Sequence, residues 1–239
     1  GRGQEHLQPV YRGNAVTGFW TTVRALVWKD IRAELRTKDV VISVLTFALL
    51  SLVIFNFALR PSPQVIPVVA PGVLWVAFTF AGVLGLTRTF VLEKDGGNLV
   101  GLLLTPTSRE ALYVGKMLGS LVFMLVAEVI TLPLFAVLFN LSPFRPALLL
   151  VMLLTTLGFA AVGTLFSAIA INTRSREIML PMLLLPLVVP VIIAAVVASG
   201  TALEGGSWSE MAKWLQLIAV FDVLALVGSA FAFEQVLQE

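Results

Sequence analysis

The chain has 239 residues, 58% apolar and only 13% charged, with a formal charge of +2 and no cysteine. Soluble domains carry charge on about a quarter of their residues, so an ordinary soluble surface is excluded, and so small a net charge gives no basis for nucleic-acid binding. Without Cys there can be no disulfide, zinc thiolate or iron–sulfur site from this chain, and the single histidine, His6, lies in a polar tail where a solvated side chain is the ordinary reading. The apolar runs are continuous rather than alternating with period two. That pattern predicts an all-α integral membrane protein, because backbone in lipid must satisfy its own polar groups.

Residues 1–14 form a polar tail without the apolar core of a signal peptide. Residues 15–38 predict an amphipathic interfacial helix. Trp20, Val23, Val27, Ile31 and Leu35 recur at spacings of three and four, with Arg24, Lys29, Arg32 and Arg36 between them, the basic side set toward anionic membrane lipid. Residues 39–239 hold six expected spans, about 40–59, 71–92, 108–141, 146–171, 178–199 and 208–237, each near or above the ~20 residues a helix needs to cross a bilayer. Pro71 is read as a helix start, where a missing amide donor costs little. Thr107 with Glu110, and Ser207 with Glu210, have capping-box spacing.

If the N-terminus is cytoplasmic, the inside segments hold thirteen Lys and Arg residues and the outside loops three, Arg60, Arg145 and Lys213. Both termini are therefore expected in the cytoplasm. The longest polar interruption after the N-terminal segment, Arg88 to Lys116, then faces the same side. Within it Glu93, Asp95, Gly96 and Gly97 belong to a charged, Gly-broken turn. Leu99, Leu102 and Leu103 supply a short apolar patch, and Pro106 turns the chain again. This arrangement fits a docking element for a cytosolic protein or an interfacial helix against lipid.

Ionisable groups inside spans are costly and so become functional candidates. Arg88, late in the second span, can snorkel or pair with Glu93. Glu128 in the third span and Asp222 in the sixth must be protonated, paired or facing water. Pro133 and the three prolines of the fifth span, Pro181, Pro186 and Pro190, are hinge or bend candidates. Gly115 with Gly119, and Gly158 with Gly163, allow close helix approach. The chain has no phosphate-binding G-x-x-x-x-G-K-[ST] loop, no H-E-x-x-H and no G-x-S-x-G, so it is read as no enzyme, without a catalytic or metal site of its own.

Three stretches carry a resemblance: the loop from Glu93 to Lys116 after an Ala70-Pro71-Gly72-Val73-Leu74-Trp75 helix start, the run Leu185 to Ile193, and the amphipathic entry Lys29 to Arg36. With them the chain resembles the permeases of ABC-2 type exporters, and more narrowly the CcmB family, haem exporter protein B of cytochrome c maturation. The resemblance implies an ABC-2 permease fold in the cytoplasmic membrane, a homodimer, and docking of an ATP-binding subunit of CcmA type through 93–107. It also implies ATP and Mg on that subunit, used either to export haem as the substrate or to release a loaded haem chaperone. Further implied partners are a haem-handling membrane protein of CcmC type, a small CcmD-like subunit and a CcmE-like haem chaperone. A generic ABC-2 exporter for lipid, glycan or drug is the alternative.

Overall fold

The computed structural model describes residues 15–59, 64–95, 108–170 and 176–236. Among these lie seven helices: α1 (Ala15–Thr37), α2 (Asp39–Leu59), α3 (Ile66–Asp95), α4 (Arg109–Phe139), α5 (Pro146–Ala170), α6 (Arg176–Glu204) and α7 (Trp208–Val236). Six of them, α2 to α7, are long and apolar enough to cross a membrane. The protein is thus a multi-pass helical membrane protein.

The centre of the bundle is α5, whose membrane window is 72% buried, against 22% for α2 and α7. It touches α3, α4, α6 and α7. Small residues make that possible. A Cβ on Gly163 would run into Leu86 of α3, and one on Gly82 of α3 would press on Phe159 of α5, so bare backbone lets α3 and α5 close on each other. Ser167 Oγ donates to the Leu86 carbonyl at 3.0 Å across the same contact. With no hydrophobic drive between helices in lipid, such packing and cross-helix hydrogen bonds hold the bundle. Others are Trp75 Nε1 donating to Ser199 Oγ at 2.9 Å, between α3 and α6, and Asn56 Nδ2 donating to the Leu138 carbonyl at 2.8 Å, between α2 and α4.

Several local expectations are corrected. Pro71 lies inside α3, which starts at Ile66 and runs on to Asp95; in its second turn the proline forfeits only the amide bond to the Pro67 carbonyl. The cap of α4 is Ser108, whose hydroxyl accepts from the Ala111 amide, and Thr107 lies outside the described residues. That helix stops at Phe139 because Asn140 takes a left-handed conformation, φ 51°. The Ser207 hydroxyl meets Ser209 Oγ at 2.9 Å rather than completing a capping box. In α1 the inward side is Val23, Leu26 and Asp30, while Trp20 and Trp28 are 59% and 66% exposed. Of the apolar stripe read from the sequence, Val23 is buried and Trp20 is exposed. Between α1 and α2, Lys38 adopts φ 59°, and Glu34 Oε1 accepts from the Val41 amide to cap the new helix.

Candidate functional site

In α4, Glu128 sits in an otherwise apolar stretch, eleven residues before the Phe139 end of the helix, or roughly 16 Å along its axis. That places it near mid-membrane. Its side chain is 4% exposed, and Oε1 accepts a hydrogen bond from Thr156 Oγ1 of α5 at 2.6 Å. Thr156 was not singled out in the sequence, and its hydroxyl is what the buried carboxyl needs. Beside the pair lies a cavity of about 20 Å³ among α2 to α6, lined by Trp75, Thr79, Glu128, Thr156 and Phe159, among others. It has room for about one water molecule. A ligand of haem size needs several hundred Å³, so the cavity is no porphyrin pocket.

Asp222 of α7 occupies the other side of α5. It is 4% exposed and lies against Gly158, where an added Cβ would collide with its Oδ1 and with the Phe221 ring. Among the described residues no side chain hydrogen-bonds to either carboxyl oxygen, and the carboxyl lies against the Gly158 backbone. Glu128 takes its hydrogen bond from Thr156, and the side chain of Arg88 lies outside what is described. Nearer the Arg109 end of α4, the Tyr113 hydroxyl donates to the Ala161 carbonyl of α5 at 3.1 Å, and its ring packs on Phe233 of α7 at 5.2 Å.

The same end of α4 holds α1. Lys116 Nζ is 2.9 Å from Asp30 Oδ2, and the Lys116 side chain is 1% exposed. The helices approach because Gly115 faces Leu26 and Gly119 faces Asp30. Sequence reading counted Lys116 only as a loop charge and did not single out Asp30. Its spacing of four from Leu26, on the side of α1 away from the exposed tryptophans, was the available signal.

The residues expected to meet an ATPase are divided by the described range. Glu93 and Asp95 fall in the last turn of α3 and Arg88 two turns earlier, whereas Gly96, Gly97, Leu99, Leu102, Leu103 and Pro106 lie outside the described residues. Pro133 is exposed on α4. Pro181, Pro186 and Pro190 all lie within an unbroken α6, with Pro186 and Pro190 turned outward and Leu184, Val188 and Val191 inward. Among the described residues no cluster of three His, Cys, Asp or Glu could hold a metal ion.

Six membrane-length helices, with the small-residue helix α5 at their centre and buried acids at its two faces, define a polytopic α-helical membrane protein. Comparison with known proteins makes this specific. The family model described as CcmB protein matches residues 21–239, and the chain belongs to that family. It is similar to heme exporter protein B of Pseudomonas aeruginosa, 30% identical over 209 residues that cover 87% of this chain and 92% of the relative. Heme exporter protein B of Rhodobacter capsulatus is 32% identical over 172 residues, 72% of this chain and 79% of that one. The Bradyrhizobium diazoefficiens protein of the same name is 27% identical over 213 residues, 89% of this chain and 95% of that one.

Proposed function

We propose that this chain is the membrane-spanning permease subunit of an ABC-type haem export system in c-type cytochrome biogenesis. It sits in the cytoplasmic membrane with both termini inside and is driven by ATP hydrolysis on a separate subunit. The observation that carries this reading is the family match across nearly the whole chain, joined to relatives named heme exporter protein B. The six spans fit a permease. The absence of a phosphate-binding loop fits an ATPase on another chain.

In this reading two copies pair, and each presents the segment from Glu93 through Pro106 to a CcmA-like ATP-binding subunit. Helices α3 and α4 leave and enter that segment, so a push on it reaches the Glu128 and Lys116 contacts along rigid helices. Haem would be passed on with CcmC-like, CcmD-like and CcmE-like partners. The water-sized cavity beside Glu128 bears on the route: haem would move along a surface of the bundle, between copies or against a partner, not through that cavity.

The same observation favours a second reading, in which ATP hydrolysis remodels a haem–chaperone complex and no haem crosses. Sealed vesicles containing the assembled complex separate the two. ATP-dependent accumulation of haem supports export. Release of loaded chaperone without haem flux supports remodelling. ATP-dependent flux of a lipid, glycan or drug with neither haem response would replace both with a generic exporter.

A further inference from the structure

We propose that Glu128 carries a proton in the packed bundle and, with a single water molecule in the adjoining cavity, forms a proton- and water-binding site between α4 and α5. Two independent observations meet there. Glu128 Oε1 is satisfied by Thr156 Oγ1 at 2.6 Å, but Oε2 meets no hydrogen-bond partner among the described residues, in a side chain 4% exposed. The same residue lines a cavity of about 20 Å³, and a water needs only about 10–15 Å³.

Among the described residues no counter-charge faces this carboxyl from the surrounding helices. The cavity receives Val44 from α2, Trp75 and Thr79 from α3, Thr156 and Phe159 from α5 and Ile192 from α6, and among the described residues Glu128 is the one ionisable residue lining it. On α4 itself Lys116 is twelve residues away, roughly 18 Å along the axis, and faces Asp30. The acid of α7, Asp222, lies against Gly158 and would repel rather than stabilise a second negative charge. An ionised carboxylate with no cation beside it is costly in such a place. The neutral acid removes that cost. Its O–H donates to the water, in a cavity whose lining is mostly apolar and includes Thr79. One carboxyl and two hydroxyls are too few oxygens for Mg²⁺ or Ca²⁺, which take about six or more. The ligand is therefore a proton with its water.

Infrared spectroscopy of the purified full chain in lipid nanodiscs at neutral pH tests this without any partner subunit, so the site stands or falls apart from the permease reading. The wild type should show a carbonyl band of a protonated carboxylic acid that shifts in heavy water. The Glu128 component of the band should be lost in Glu128→Gln, the isostere of the neutral acid, persist in Asp222→Asn, which removes only what Asp222 adds, and move to higher frequency in Thr156→Val, which no longer donates to the carbonyl. Identical wild-type and Glu128→Gln spectra in that region would overturn the proposal, as would loss of the whole band in Asp222→Asn. Should Glu128→Gln fail to fold, the Thr156→Val shift decides: an unmoved band excludes the site.

Discussion

Lys116 Nζ lies 2.9 Å from Asp30 Oδ2, joining the N-terminal helix α1 to the first turns of α4. The ammonium is almost fully enclosed and Asp30 is 21% exposed, so the pair is closer to a buried ion pair than to a surface one. Removing one partner of a buried pair costs more than replacing both by apolar groups.

Asp30→Asn should therefore lower stability by about 2 kcal/mol, below the buried-pair range because Asp30 still reaches solvent. The double variant Asp30→Asn, Lys116→Met should recover part of that loss. Thermal unfolding in mild detergent is the measurement. Additive single losses would mean that the contact holds nothing together.

Gly158 should be intolerant of even one added methyl. Gly158→Ala places a Cβ against the Asp222 carboxyl and the Phe221 ring, with an expected cost of about 1–3 kcal/mol from overpacking. In an Asp222→Ala background the penalty should shrink, since one of the two obstructions is gone. A penalty of the same size in both backgrounds would show that α7 does not pack on Gly158 through Asp222.

Ser199→Ala should cost about 1–3 kcal/mol, because it strands the buried indole N–H of Trp75 between α3 and α6. Ser199→Thr keeps a hydroxyl and should retain more stability. The two melting temperatures, compared side by side, check this.

For the segment after α3, replacing Asp95 or Gly96, or introducing a charge at Leu102, should cut stimulation of the partner ATPase by about tenfold, some 1.4 kcal/mol of coupling. Membrane insertion and yield should not change. Full stimulation in all three variants would remove this segment from the coupling role.

The spans were legible because length and hydropathy report directly on a hydrocarbon core about 30 Å thick. What lay between spans was harder to read. The protein-facing side of α1 was not legible because lipid and protein are equally apolar, so periodicity finds an apolar side without saying what covers it. Trp20 and Trp28 favour a wet membrane interface, while Leu26 and Asp30 take the protein contact. Glu128 stood out in sequence as an acid within a span. Its partner Thr156 did not, since a threonine in a membrane helix more often bonds its own preceding turn. Pro71 was taken as a helix start because a proline inside a helix is costly; early in α3 it loses a single backbone bond and packs near Gly200 instead.

The central claim, that this CcmB-family chain works as a haem-system permease coupled to a separate ATPase, is tested most directly by affinity purification from native membranes in mild detergent. The co-purifying proteins would be identified and haem absorbance recorded. An ATP-binding subunit together with a haem-handling membrane protein is the predicted result. A well-folded preparation that brings down no ATPase would contradict it.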